Sequence, residues 1–454
     1  VMPRFVMPRF VTLWFAILYG LLCTAPISRH GCADPGANWP SFRGNGNSIT
    51  AAQNLPLSWD AKQNVAWAID LPGYGQSSPV IWGSRVFVTS RLGPNQQTCI
   101  AQCYDLKTGT LHWEERFDSN QPVPVSDYVS RSAPTPAADE QHFFAFFESG
   151  DLCAYRHDGS PVWQRTLMEE YGSYQGNHGL GSSLAQTDEA LYVLVDHSGP
   201  SYLLSIDKQT GRNRWKLDRQ AKVSWSSPLI VSDKAQTQIL ISSNGTVEAL
   251  LADSGKTLWQ VDGLEGNNVP SPTASSGLVV IGANKPGHNL ALRQGDLDAA
   301  AEKRIQWRSS QVTSSFGSPL IYRDLVYFVN RAGVAFCVTL KTGEIRWKHR
   351  LPGSCWCSPI AAGDRLYFFT KSGETTVLAA DNASQPKVLA TNTYPCADRV
   401  YGVAAVHHSL VMRQAARLIH ISSRTAGEST SPVEKPGDEC LTDHGATSGL
   451  RRTK

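Results

Sequence analysis

Apolar residues in this chain gather in short runs, with no helical stripe. Val86-Phe87-Val88, Phe143 to Phe147, Leu191 to Val195, Ile239-Leu240-Ile241, Leu278 to Ile281, Leu325 to Val329 and Leu366 to Phe369 are β-branched and aromatic stretches bounded by Gly, Asp and Ser. Such runs predict buried strands, because branched side chains pack well on a pleated surface. A small-residue motif precedes each: SSPV (77–80), SAPT (132–135), GSSL (181–184), SSPL (226–229), PSPT (270–273), GSPL (317–320) and CSPI (357–360). Marked at Pro79, Pro134, Leu184, Pro228, Pro272, Pro319 and Pro359, they stand 55, 50, 44, 44, 47 and 40 residues apart. That spacing fits the roughly 40–50 residues of one β-propeller blade.

A third element closes most units: CYDLKTGTLHW (103–113), YRHDGSPVW (155–163), SIDKQTGRNRW (205–215), LLADSGKTLW (250–259) and VTLKTGEIRW (338–347). Thr-Gly, Asp-Gly or Ser-Gly predicts a hairpin turn in which Gly takes the positive φ. The Trp four residues beyond falls on the same face of every outer strand. An indole there, burying roughly 150–250 Å², is expected to wedge between neighbouring blades. Residues 401–422 supply strands without an outer one, and NVAWAIDL (64–71) is an outer strand without a blade. Joined, they make an eighth blade closed by both chain ends, which removes the exposed edge of the ring. The expected fold is therefore all-β, a single propeller of four-stranded blades, eight in number with seven as the alternative.

The Asp-x-x-Thr-Gly-x-x-x-Trp pattern, intact at Asp105 to Trp113 and Asp207 to Trp215, resembles the repeat of the pyrroloquinoline-quinone-like propeller family. NWPSFRGNGNS (38–48) resembles the leader of secreted members in planctomycete-type bacteria, and the likeness runs from about residue 38 to 421. Thr339 and Leu251 depart from it where Asp is expected, and the seventh unit has no Trp after AADNASQP. The family includes quinoprotein alcohol dehydrogenases and the non-catalytic outer-membrane assembly lipoprotein BamB, so the resemblance implies a fold and leaves two activities open.

The chain has 454 residues, 41% of them hydrophobic, enough for one large core. A net charge of +3 without a Lys/Arg run excludes nucleic acid as an expected partner. Arg4 and Arg9 ahead of VTLWFAILYGLLCTAPI (11–27) read as a secretory signal over residues 1–33, with an uncleaved anchor as the alternative. The VMPRF doublet at 1–10 suggests an over-extended start, with Met7 the effective one. A leader segment, 34–63, then precedes the propeller, 64–422. The polar stretch 423–454 lacks any apolar period and is expected to be disordered, leaving Cys440 free or intermolecular.

Export permits disulfides among the eight remaining cysteines, but sequence does not give pairing. Cys99 and Cys103 are four apart on one strand, roughly 13 Å, too far to bridge. Cys355 and Cys357 are expected to share a strand face, and His407 and His408 to face opposite sides of one. Neither pair has ligand spacing for a metal.

A quinoprotein dehydrogenase needs a base, a Ca²⁺ held by carboxylate and amide oxygens, and a flat platform for the quinone. In the family that platform includes a ring of adjacent cysteines, and no two are adjacent here. Trp225 and Trp356, each three residues before a mark, are candidates for the channel mouth, as are Arg131 and the loop residue His178. Asp127, Glu169, Glu170 and Asp196 are the carboxylates near expected blade-connecting loops, without calcium-cage spacing. No catalytic or metal site is assigned. The expected function is an exported, monomeric, non-catalytic scaffold for envelope proteins, similar in role to BamB. The alternatives are an oxidoreductase using pyrroloquinoline quinone with calcium, and a glycan-binding propeller.

Overall fold

The computed structural model describes residues 36–121, 131–176, 178–232, 236–295 and 300–423. The expected signal, Asp127, Cys440 and all but the first residue of the expected polar tail lie outside them. The described strands form eight antiparallel meanders arranged as an eight-bladed propeller. Blade 1 is Val80–Trp82, Arg85–Leu92, Thr98–Asp105 and Leu111–Asp118, counted outward from the axis. Blades 2 to 7 follow over 137–166, 185–219, 229–262, 273–309, 320–350 and 360–393. Blade 8 takes Val400–Val406, Ser409–Gln414 and Arg417–Ser422 from the C-terminal side and its outer strand, Val65–Asp70, from the N-terminal side. The core lies between blades, where the second and third strands are almost wholly buried.

At the axis the residue before each mark donates its backbone N–H to the hydroxyl at the same place in the next blade. Ser78 donates to Thr135 Oγ1 at 3.0 Å, Thr135 to Ser183 Oγ at 3.0 Å and Ser183 to Ser227 Oγ at 2.9 Å. Ser227 donates to Ser271 Oγ at 2.9 Å, Ser271 to Ser318 Oγ at 3.0 Å and Ser318 to Ser358 Oγ at 2.9 Å. Except in blade 3, where Leu184 follows, a Pro holds the residue before it extended, and the neighbouring hydroxyl satisfies that residue's buried N–H. This register corrects the second mark. Thr135 precedes Pro136, so Pro136, not Pro134, is the equivalent of Pro79 and Pro228.

At the rim, five outer-strand tryptophans, Trp67, Trp113, Trp163, Trp215 and Trp307, each lie on the hairpin glycine of the next blade. The indole N–H of Trp67 donates to Leu106 O at 2.9 Å, Trp113 to His157 O at 2.9 Å and Trp163 to Lys208 O at 2.8 Å. Trp215 and Trp307 repeat this with Ala252 O at 3.1 Å and Leu340 O at 2.7 Å. Gly211 has φ 70°, and a Cβ there would stand 2.6 Å from the Trp163 ring, so both backbone and space demand glycine. Trp259 meets the Arg304 guanidinium, 5.1 Å from its ring, where a longer connection replaces the tight turn. The residue paired with each Trp across the strand is small: Cys103, Ala154, Ser205, Ala249, Ala291 and Cys337. Two of the cysteines thus serve as small core residues, with burial pushing each thiol up to about 12. In blade 8 the position is His420. It is 6% exposed, both ring nitrogens lack hydrogen-bond partners, and burial lowers its pKa to about 4.

The leader crosses the axis and touches every blade. Gly36 O accepts from His407 N–H (2.9 Å), Trp39 forms a bridge with Ile81, and Pro40 O accepts from Ala138 N–H (2.8 Å) and Gln186 Nε2 (3.5 Å). Gly46 lies against Leu229, and Ile49–Thr50 adds a parallel fifth strand to Ile360–Ala362 of blade 7. Between them, Arg43 is 4% exposed and donates to the mark carbonyls Pro272 O (3.1 Å) and Pro319 O (2.9 Å), to Ser48 Oγ (3.1 Å) and to Thr273 Oγ1.

Two local expectations change. His407 and His408 form the turn between the first two strands of blade 8, His407 with φ 49°, because the strand ends at Val406. Cys355 and Cys357 lie in the connection before Ile360–Ala362, since the inner strand begins only after the mark. The seven described cysteines are free.

Replacing Ser227 by Ala strands the buried N–H of Ser183 and should lower stability by about 1–3 kcal/mol, whereas Ser227→Thr should retain most of it; urea midpoints read the difference. Gly211→Ala should cost at least about 1 kcal/mol from its left-handed backbone alone, more as the Trp163 ring is displaced. The unfolded state binds a proton at His420 that the native state refuses between pH 6.5 and about 4. Stability should therefore fall as pH drops through that window, by up to about 3 kcal/mol from this group. His420→Ser, which copies Ser205, should flatten the pH dependence of the urea midpoint.

Candidate functional site

Three residues before each mark, the chain turns inward at one mouth of the propeller. With the second mark at Pro136, that position is Gln76, Ala133 and Gly181 in blades 1 to 3, and Trp225, Val269, Phe316 and Trp356 in blades 4 to 7. All seven line one funnel of about 430 Å³. Tyr401 of blade 8, the loop residues His178 and Arg331, and Phe42 of the leader complete it. One side is small and the other aromatic, so the funnel is lopsided although the scaffold repeats.

Its rings are held rigidly. Trp225 donates from Nε1 to Gly179 O at 3.0 Å, and its backbone N–H donates to Asn268 O at 2.7 Å. A Cβ at Gly181 would stand 2.7 Å from Trp225 Cδ1, so glycine makes room for the indole. His178 packs beside it, ring centres 5.8 Å apart and tilted 55°. Trp356 stacks on Phe316 at 4.4 Å and 19°, meets Tyr401 edge-on at 6.3 Å, and carries the Arg399 guanidinium 4.8 Å from its ring. Trp356 thus already carries one stacked ring and one guanidinium.

Arg131 lies in the connection before Ala137–Ala138 and is not among the residues that line the funnel. Its guanidinium is 4.7 Å from the Tyr74 ring, and its backbone N–H donates to Gln76 Oε1 at 3.0 Å. Tyr74 and Tyr401 share a hydroxyl hydrogen bond of 2.6 Å, and burial, followed by that bond, raises the Tyr74 pKa. Of the four residues singled out by sequence, His178, Trp225 and Trp356 line the funnel and Arg131 supports its rim. Phe316 was readable by the same three-before rule, whereas Phe42, Arg331 and Tyr401 carry no repeat signal.

Calcium takes six to eight oxygen ligands, with carboxylates prominent among them. The described lining offers the Gln76 amide and the Tyr401 phenol as side-chain oxygen donors, and no carboxylate. Glu170 pairs with Arg165, and Asp196, 3% exposed, pairs with Arg219 at 2.9 Å and accepts from Ser243 at 2.7 Å. Exposed Glu169 faces Asn120 at 3.4 Å. The described lining does not itself supply the carboxylates of a calcium-supported quinone; Asp398 hydrogen-bonds Tyr74 beside Tyr401 and is not among the lining residues. They form an apolar receptacle with a cation, Arg331, at its lip.

The sequence and fold can be placed among known proteins. BamB from Yersinia pestis is 22% identical over 282 residues, 61% of this chain and 64% of that protein. A polyvinylalcohol dehydrogenase from a Sphingopyxis strain is 20% identical over 52% of this chain and 41% of its own length. The chain thus spans under two thirds of each of these two relatives. Among solved structures, BamB from Moraxella catarrhalis superposes with a TM-score of 0.59 at 14% identity, covering 79% of this chain and 99% of that one. A europium-containing methanol dehydrogenase gives 0.63 at 12%, over 84% and 89%. These likenesses share the propeller architecture across an assembly factor and dehydrogenases. The family model described as outer membrane protein assembly factor BamB matches residues 40–177 and 157–391, and on that coverage the chain belongs to this family of pyrroloquinoline-quinone-like repeat propellers.

Proposed function

We propose that the protein is an exported, non-catalytic propeller acting as a scaffold for other envelope proteins, similar in role to BamB. The observation that carries this reading is the funnel, whose described lining is aromatic and apolar without a carboxylate. A binding mouth needs fixed apolar anchors and a few polar groups. Oxidation of an alcohol needs a base beside the reacting carbon, and the described lining offers only His178, which packs beside Trp225. The relatives named for the outer membrane, with the signal expected at 1–33, favour an envelope location. No described helix is long and apolar enough to cross a membrane. The half-buried rings Trp225 and Phe316 would also suit a sugar face, which keeps glycan binding as the second reading.

Titrating the purified chain with pyrroloquinoline quinone, with and without Ca²⁺, should release no calcium-dependent heat. Calcium-dependent binding at micromolar concentration or tighter would overturn the scaffold reading. A photoreactive residue in place of Gln76 should cross-link to protein in an envelope fraction; labelling of polysaccharide alone would favour the glycan reading.

A further inference from the structure

Blades 3 and 6 share Arg-Trp-Lys at the rim but differ in how those cations are paired. Around the repeat Trp, blade 3 reads Arg214-Trp215-Lys216-Leu217-Asp218 and blade 6 reads Arg346-Trp347-Lys348-His349-Arg350. In blade 3 the cations are neutralised within the chain: Arg214 pairs with Glu189 at 2.9 Å and Lys216 with Asp218. In blade 6 the place of Asp218 is taken by Arg350, which turns an internal ion pair into a third positive charge.

None of the three blade 6 cations has a carboxylate partner among the described residues. Arg346 donates to Asn382 O at 3.1 Å, Lys348 to Gln311 Oε1 at 2.9 Å and Arg350 to Ala332 O. All three are exposed at alternate positions of the outermost strand, Ile345–Arg350, whose burial alternates around buried Trp347. Alternate strand residues stand about 7 Å apart, so the charges form a ladder. Ala332, which accepts from Arg350, adjoins Arg331 at the funnel lip, so the ladder leads toward that mouth.

The strand is paired on one side only, to Val334–Thr339. Its free edge offers a row of backbone donors and acceptors, and such an edge is completed by another backbone. A flat anionic surface would neutralise the cations and leave this edge unpaired. A strand with carboxylates at alternate positions satisfies both at once.

We propose that the outer edge of blade 6 is a docking site for an acidic β-strand of a partner protein, added alongside Ile345–Arg350 and held by Arg346, Lys348 and Arg350. The proposal rests on the scaffold reading and gives that scaffold a site and a partner chemistry. The corresponding edge of blade 3 is excluded because its charges are already paired.

The test is fluorescence anisotropy of a short labelled peptide in which glutamate alternates with threonine. Wild-type protein should bind it, more weakly as salt rises. Arg350→Asp, which restores the blade 3 arrangement, should weaken binding, and Arg346→Gln/Lys348→Gln/Arg350→Gln should weaken it about tenfold or more. Unchanged urea midpoints will show that these exposed substitutions leave the fold intact. A peptide with proline in place of threonine keeps the charge, loses every second backbone donor and cannot continue a ladder, and should fail to bind. Equal binding of that peptide, equal binding by the variants, no binding at all, or binding only to phosphatidylglycerol vesicles would each overturn the proposal. Quinone titration addresses the funnel alone, so failure of the scaffold reading is distinguishable from failure of this site.

Discussion

Eight inner strands converge on one axis, and the structure depends on how their buried N–H groups are satisfied there. A strand in an ordinary sheet bonds its neighbour's backbone; across the blades of a propeller no such ladder exists. The hydroxyl before each mark takes its place, passing one hydrogen bond from blade to blade from Ser78 to Ser358. Each bond is worth about 1 kcal/mol net, and each unmet donor costs more. Small residues at this position let the blades approach, and that approach sets what stands one turn of chain earlier. The funnel residues lie three positions before the marks, so the same ring that closes the axis aims Trp225, Phe316 and Trp356 into the mouth.

The seam where the ring closes uses different chemistry. Blade 8 has Gly402 where other blades have a hydroxyl, and a Cβ there would stand 2.1 Å from Ser78 Oγ. Arg413 crosses the seam instead, donating to Thr89 O at 2.7 Å and Ser90 Oγ at 2.9 Å of blade 1. Arg413 and Arg43 are buried cations without a carboxylate partner among the described residues, each lowered by burial to about 9 and still charged at neutral pH. Carbonyl and hydroxyl oxygens carry the whole load. Guanidinium suits this task because five donors in a fixed fork can meet several acceptors at once. Arg43 thereby ties the marks of blades 5 and 6 to the leader, while Arg413 ties the last blade to the first.

The repeat is legible in the sequence because its two constraints are local. A hydroxyl followed by proline, and a glycine four residues before a tryptophan, each occupy a handful of consecutive positions, so seven units and the split eighth blade can be counted from sequence. The second mark is misplaced by sequence because Ser132-Ala133-Pro134-Thr135-Pro136 offers two prolines, and only the bond from Ser78 to Thr135 selects between them. Trp225 and Trp356 are found by their spacing from the marks, and Phe316, at the same spacing, completes the aromatic side only once the structure brings all three into one mouth. The leader's role is invisible in the sequence: apart from Ser48, Arg43 finds its acceptors more than 200 residues away, and nothing beside it in the chain signals a cation buried at the axis. Arg413 is hidden for the same reason.

What repeats in this molecule is scaffold, and what fails to repeat is informative. The axis and the rim are held to small residues, glycine and tryptophan, leaving few places where a blade can differ without loss of stability. Blade 8 departs by placing His420 where blades 1 to 6 have Ala, Ser or Cys. Blade 6 departs by placing Arg350 where blade 3 has Asp218. Blades 4, 6 and 7 depart by placing aromatic rings where blades 1 to 3 have Gln, Ala and Gly. A propeller with eight equal blades would present a uniform ring. This one concentrates rings on one side of the mouth and, on the edge of blade 6, cations without a carboxylate partner among the described residues, so its surface chemistry is directional although the fold is nearly symmetric.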